Sequence, residues 1–131
     1  MKKAIFIAAT FLILFSGSCQ KNKPTAIIGK WKLTEELIDI GDGKGQFKKT
    51  ETQQIIEFFE DGNFTSTTSL CQMPSENAKN GTGTFSTKEN KIIPGNCAEP
   101  NRDITFEING QELILHLPCI EPCAQKYVRI N

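Results

Sequence analysis

The stretch RDITFEINGQELILHL, residues 102–117, decides the fold class. Apolar and polar side chains alternate on both sides of Asn109-Gly110, and Asn-Gly is typical of a two-residue turn between antiparallel strands. This stretch therefore predicts a β-hairpin. The same alternation recurs in short runs from Gly29 onward, and no long run shows helical apolar spacing. The sequence predicts an all-β domain.

Eight runs have this strand-like pattern, which is a usual number for a small closed barrel. They are residues 30–40, 53–59, 63–70, 83–88, 91–95, 102–108, 112–117 and 125–130. Three of the connections between them are tight turns, and they alternate with longer connections at about 41–52, 71–82, 96–101 and 118–124. Successive connections of a meander lie at opposite ends. We therefore predict an eight-stranded antiparallel up-and-down β-barrel, with tight turns at one rim and long loops at the other.

The N-terminus has the layout of a secretory signal: Met1-Lys2-Lys3 is basic, residues 4–15 are almost wholly apolar, and small residues precede Cys19. The apolar segment rises only about 18 Å as a helix, short of a bilayer core of about 30 Å, which disfavours a transmembrane span. The segment resembles the signals of bacterial lipoproteins, in which such a cysteine is acylated and becomes the mature N-terminus. An ordinary cleaved signal is the alternative.

This resemblance implies a signal peptide at 1–18, a lipid anchor and tether at 19–26, and a barrel domain at 27–131. The protein would sit in the cell envelope, held to a membrane by the lipid on Cys19. Gln20 resembles the outer-membrane type of sorting residue, which implies an outer-membrane lipoprotein facing the periplasm or the surface. Removing Lys2 and Lys3 from 15 basic and 15 acidic residues leaves a net charge of −2, which gives no reason to expect nucleic acid as a partner.

Cysteines other than Cys19 all fall in the long connections: Cys71, Cys97, Cys119 and Cys123. An even number in an exported chain predicts two disulfides. Three pairings are possible, and we prefer Cys119 with Cys123, which flank only IEP, and Cys71 with Cys97. Zinc held by cysteine pairs is the alternative, which an oxidising compartment disfavours.

The segments IIGKWKL (27–33) and KYVRI (126–130) resemble the lipocalin-like, or calycin, group, and in particular small bacterial lipocalin-like lipoproteins. These proteins begin their first strand with glycine-x-tryptophan and pack an arginine from the last strand over that tryptophan at the closed end of the barrel. Gly29, Trp31 and Arg129 match those positions. The resemblance implies a closed barrel and a cation–π contact of about 0.5–2 kcal/mol.

Alternation also predicts which side chains point into the barrel, and Leu37 is expected among them. Ser66 and Thr68 share the inward face of their run, which indicates either room for a ligand or water, or a gap filled by local hydrogen bonds. The candidate ligand-binding residues are Phe58, Ser66, Thr68, Leu70, Phe106, Leu115 and Leu117.

No catalytic residue, metal site or cofactor is predicted. His116 is the only histidine and falls on the outer face of its strand. No serine has credible His and Asp partners at the same rim, and alternating carboxylates such as Glu35 and Glu57 are typical of a solvated face. The segment DIGDGKG (39–45) fits neither the P-loop nor the EF-hand pattern. We interpret it as a flap over the mouth, which is the open end of the barrel at the long-loop rim.

We therefore expect a non-enzymatic barrel that binds a small hydrophobic or amphipathic molecule at its long-loop end. The alternatives are a protein-binding or inhibitor module of the envelope and a filled, purely structural barrel. The chain that follows the lipid anchor would enter the barrel near Ala26, at the tight-turn rim. The ligand-binding mouth would therefore face away from the membrane.

Overall fold

The structure is a computed structural model that describes residues 26–71, 80–95, 97–98 and 103–131. The predictions for the signal peptide, Cys19 and Gln20 lie outside these residues. The described chain forms nine strands: β1 Gly29–Ile38, β2 Phe47–Lys49, β3 Ile55–Phe58, β4 Asn63–Ser66, β5 Gly81–Ser86, β6 Lys91–Pro94, β7 Ile104–Asn109, β8 Glu112–Leu117 and β9 Cys123–Ile130. No helix among these residues is long and apolar enough to cross a bilayer.

The sheet closes into a barrel because β1 pairs with β9 along nearly its whole length, from Lys30 opposite Ile130 to Ile38 opposite Cys123. Every pairing is antiparallel, and from β3 to β9 each strand pairs with the next in sequence. β2 and β3 both lie against the opposite edge of β1, one on each half of it, and so occupy a single position. The all-β, eight-stranded, antiparallel up-and-down barrel predicted from the sequence is confirmed.

β2 lies inside the connection that the sequence predicted as a long loop at 41–52. Leu37 pairs with Phe47, the Thr50 N–H donates to the Thr34 carbonyl at 3.0 Å, and the Leu33 N–H donates to the Gln54 carbonyl at 2.9 Å. The two strands are therefore one interrupted strand from which residues 51–53 loop out. A strand of three residues shows too little alternation to be recognised from sequence.

A β-bulge at Thr34 changes which side chains of β1 face the interior. Leu33 pairs with Tyr127 but Glu35 pairs with Lys126, so β1 carries one extra residue there. Beyond the bulge Glu36 is opposite Gln125, which shares the inward face of Tyr127. The prediction that Leu37 points inward is wrong, because the extra residue reverses the alternation and turns Glu36 inward instead.

Apolar side chains fill the barrel interior between the tight-turn rim and the level of Leu115. Phe58 packs edge-on against Phe85 with ring centroids 5.1 Å apart, and its centroid lies 5.8 Å from that of Phe64. Each fully buried large side chain contributes about 1.5–3 kcal/mol to stability. The buried core consists of Ile27, Trp31, Leu33, Ile56, Phe58, Phe64, Leu70, Ile92, Ile104, Phe106, Leu113, Leu115 and Tyr127.

The two rims differ as the sequence predicted. Tight turns join β3 to β4, β5 to β6 and β7 to β8 at one rim, where Gly110 adopts a positive φ of 63° that suits an Asn-Gly turn. The other rim carries the longer connections and both disulfides. Cys71 is bonded to Cys97 and Cys119 to Cys123, with Cα atoms 5.4 and 6.0 Å apart, which is the pairing preferred from the sequence.

Candidate functional site

The tight-turn rim is closed by a plug made of residues 26–28. The indole N–H of Trp31 donates to the Ile27 carbonyl at 2.7 Å, and Arg129 donates from Nη1 to the Ile28 carbonyl at 2.6 Å and from Nη2 to the Ala26 carbonyl. The Arg129 guanidinium also lies 4.2 Å from the centroid of a Trp31 ring. Trp31 and Arg129 thus hold the incoming chain across the barrel's lower end.

Gly29 is part of the same closure. Its φ of 118° lies in a region that other residues rarely adopt, and a Cβ atom there would stand 2.9 Å from Arg129 Nη1. The structure brings Gly29, Trp31 and Arg129 together as the resemblance implied. Their role is structural, since they seal one end and leave the long-loop end as the candidate mouth.

The predicted ligand-binding residues do not form one site. Phe58 pairs with Gly29 at the closed end and is remote from the long-loop mouth, whereas Phe106 lies directly opposite Leu115 on β8. Thr68 is exposed, because β4 ends at Ser66 and the alternation does not continue past it. Ser66 is buried and its hydroxyl accepts a hydrogen bond from Gln54 Nε2 at 3.3 Å, so a local hydrogen bond fills that position.

Leu117 lies at the long-loop rim, and Leu115 lies one level below it on the same face of β8. Leu115 pairs with Gln125, and Leu117 pairs with Cys123 at the level of Ile38. Leu115 is fully buried and Leu117 is half-buried. Leu70, also buried, precedes the Cys71 bridge in the long connection after β4.

Three hydrogen-bonded polar side chains lie inside the barrel toward the long-loop rim, and the sequence did not predict this contact. The Tyr127 hydroxyl donates to Gln125 Oε1 at 2.7 Å, and Gln125 Nε2 donates to Glu36 Oε1 at 3.1 Å. Burial, and secondly the negative charge of Glu36, raise the pKa of the Tyr127 phenol, so it stays protonated and a donor. A mixed layer of Glu36, Gln125 and Leu115 therefore lies one level below the rim.

The rim loop after β1 is ordered around Asp39. Its carboxylate accepts backbone hydrogen bonds from Gly41, Asp42, Gly43 and Gly45 at 2.9–3.2 Å. Desolvation raises the pKa of this carboxyl, but the four hydrogen bonds together outweigh it and bring the pKa below its usual value. The flap predicted at 39–45 is thus a loop folded around a carboxylate.

Three isoleucines are exposed at this rim. Ile38 is 73%, Ile40 85% and Ile120 98% exposed. Their loops touch, since the Asp39 N–H donates to the Pro122 carbonyl at 3.0 Å, and the Cys119–Cys123 bridge closes the second loop. Together they form an apolar edge, here called the isoleucine rim, above the layer that contains Glu36.

A cleft of about 840 Å³ lies at the other end, between the β5–β6 and β7–β8 turns. Ile27, Phe106 and Ile108 line it beside the polar residues Lys88, Asn90 and Glu107. The sequence placed the ligand site at the long-loop rim, so this cleft is a second location to be tested. It opens beside the plug, where β6 and β7 share only two residue pairs.

Chemistry-bearing side chains are sparse in the described part of the chain. His116 lies on the outer face, with Nε2 3.1 Å from Glu107 Oε1. No three His, Cys, Asp or Glu side chains there are grouped as metal ligands. The His116–Glu107 pair is open to solvent.

A family model described as a lipocalin-like domain matches residues 27–115, well over half of the chain. Neither a curated protein nor a solved structure matches the chain significantly. The matched range begins at the plug and includes the glycine-x-tryptophan segment and strands β1 to β7 with most of β8. The chain therefore belongs to the lipocalin-like domain family.

Proposed function

We propose that this barrel binds a small amphipathic molecule at its long-loop mouth. The observation that carries the proposal is the mixed layer below the rim, where Glu36 and Gln125 stand beside Leu115. Binding sites for small molecules combine an apolar lining with a few oriented polar groups. Because Leu33, Tyr127 and Leu113 fill the next level down, the ligand would occupy only the mouth.

The family supports binding over catalysis. Lipocalin-like barrels suit small-ligand binding and are typically non-enzymatic. We therefore expect no catalytic turnover and no bound cofactor. The single histidine on the outer face agrees with this expectation.

Titration of the mature protein with a hydrophobic dye and with twelve-carbon amphiphiles tests the proposal. We expect saturable binding that weakens several-fold in the double variant Ile38→Ser/Ile120→Ser. Ile93→Ser is the matched control, because Ile93 is 51% exposed but lies on the outer wall of β6. The absence of saturable binding, or equal losses in both variants, would overturn the proposal and favour a filled structural barrel.

Membrane attachment through Cys19 is the second part of the proposed function. The lipoprotein-like signal supports it, and the seven residue steps from Cys19 to Ala26 would reach at most about 25 Å. Because Ala26 lies at the closed end, the mouth would face away from the membrane, in the cell envelope. Intact-mass analysis should find an acyl mass on Cys19, and Cys19→Ser should release the protein from membranes. An unmodified Cys19 would contradict the anchor.

Protein binding through the same rim is the alternative function. Ile120 favours it, since a nearly fully exposed isoleucine in a disulfide-closed loop is a preorganised contact. A stoichiometric envelope partner lost in Ile120→Ser but kept in Ile93→Ser would support this alternative. A bound small molecule in the purified protein would favour the first proposal.

A further inference from the structure

We propose that the ligand of the long-loop mouth is an amphipathic amine, whose ammonium contacts Glu36 and whose apolar part lies on the isoleucine rim. This inference rests on the proposed function and names the class of its ligand. It follows from the position of one carboxylate, the orientation of its neighbours and the charges around the mouth.

The bulge at Thr34 decides which of two adjacent carboxylates faces the mouth. Without the extra residue, Glu35 would lie opposite Gln125 and share the inward face with Leu33 and Leu37. With it, Glu36 faces inward, one level below the rim formed by Ile38, Leu117 and Cys123. A bulge that re-aims a side chain in this way is a feature often found next to binding sites.

Glu36 is held in place by a hydrogen-bond chain. Tyr127 donates to the Gln125 oxygen, so the amide nitrogen of Gln125 must turn toward Glu36. The neutral amide orients the carboxylate without cancelling its charge. The preceding residue, Glu35, faces outward and forms an ion pair, with its Oε2 3.0 Å from Lys126 Nζ. Within the described residues, Glu36 forms no such ion pair.

The surrounding charges favour a cation over an anion. The loops after β1 and β8 carry Asp42 and Glu121 against Lys44, and Asp39 adds a third carboxylate beneath the first of these loops. A carboxylate that is partly removed from water is stabilised by a charged hydrogen-bond donor, which is worth more than a neutral one. An ammonium meets this need, whereas the head group of a fatty acid would be repelled.

The isoleucine rim supplies the contact for the apolar part of the ligand. Ile38 shares the face of Glu36 one level above it, and Ile40 and Ile120 are exposed in the adjoining loops, while the levels below Glu36 are filled. A ligand that inserts its head must therefore leave its chain across the rim. In a site that buries the apolar tail of an amphiphile, the head group stays in water. Here the head group is the part that inserts, and the apolar chain stays at the rim.

Three twelve-carbon amphiphiles that differ only in head group test the inference: dodecylammonium, dodecanol and dodecanoate, each titrated calorimetrically below its aggregation concentration. We expect dodecylammonium to bind about tenfold or more tightly than dodecanol, and dodecanoate to bind most weakly. Glu36→Gln, which keeps the shape and the hydrogen-bond acceptor, should remove the difference between the amine and the alcohol. Glu35→Gln, on the outer face of the same strand, should leave it intact.

The outcomes separate this inference from the function on which it rests. Equal binding of all three amphiphiles, with sensitivity to Ile38→Ser/Ile120→Ser, would overturn the amine preference and keep the mouth as a binding site. An amine preference that survives Glu36→Gln would also overturn it. Failure of all three amphiphiles and of the dye to bind would overturn the proposed function itself.

Discussion

Trp31 and Arg129 are paired across the seam between β1 and β9, with the guanidinium 4.2 Å from the centroid of a Trp31 ring. The same guanidinium donates to the carbonyls of Ile28 and Ala26. One side chain therefore joins the first strand, the last strand and the incoming chain. The barrel's closure and its sealed end depend on the same contacts.

Replacing Arg129 should destabilise the protein more than replacing an ordinary surface cation. We expect Arg129→Ala to lower the free energy of unfolding by about 2 kcal/mol, because the cation–π contact and two carbonyl hydrogen bonds are lost together. Arg129→Lys should recover part of this, since lysine keeps the charge but not the planar fork. Lys30→Ala, at an exposed pair 3.9 Å from Glu57, should change the value by less than about 0.5 kcal/mol in denaturant titrations. Similar losses for Arg129→Ala and Lys30→Ala would argue against the closure described.

The two disulfides should contribute unequally. The Cys71–Cys97 bridge spans 26 residues and the Cys119–Cys123 bridge spans 4, so the first constrains the unfolded chain more. Loop-closure entropy predicts a loss of about 3.5 kcal/mol for Cys71→Ala/Cys97→Ala and about 2 kcal/mol for Cys119→Ala/Cys123→Ala. Unfolding of both double variants under non-reducing conditions measures the difference. The opposite order would contradict the entropic explanation.

The Gln54–Ser66 pair gives a test of the polar interior. Both residues are buried, at 4% and 5% exposure, and Gln54 Nε2 donates to the Ser66 hydroxyl. Ser66→Ala should cost about 1–3 kcal/mol, because it leaves the buried amide of Gln54 without that acceptor. Adding Gln54→Leu should recover most of the loss. A double variant less stable than Ser66→Ala would mean that packing, not hydrogen bonding, dominates at this position.

Asp39 should titrate below its ordinary value of 3.8, because four backbone N–H groups donate to its ionised form. With a lowered folded pKa, the stabilisation is present above the unfolded pKa and is lost as the pH falls through the folded pKa. NMR titration of the Gly43 and Gly45 amide shifts should therefore give a common midpoint below 3.8. A midpoint at or above that value would show that the loop does not hold the carboxylate as described.

Alternation and turn residues were sufficient to predict the barrel. Local sequence patterns predicted the Asn109-Gly110 turn, the strands on either side of it and the four cysteines at one rim. The structure has all three features. The closure between Trp31 and Arg129 was predicted by resemblance, because pairing between the first and last strands leaves little local signal.

The mouth was less predictable, because its features depend on departures from regular alternation. The bulge at Thr34 exchanges Leu37 for Glu36 on the inward face, and nothing in the residues of β1 alone marks it. β4 ends at Ser66, so continuing its alternation to Thr68 placed an exposed residue inside. Phe58 was correctly placed inside the barrel but at the wrong end, since facing inward does not specify the level along the barrel axis.

The most direct test of the central claim is to locate the ligand by NMR, through amide shift changes during titration with dodecylammonium. We expect the largest changes at the mouth, around Glu36, Gln125 and Ile120, and a several-fold higher midpoint concentration for them in the Ile38→Ser/Ile120→Ser variant. Largest changes around Asn90 and Asn109, in the cleft of about 840 Å³ at the closed end, would contradict binding at the mouth.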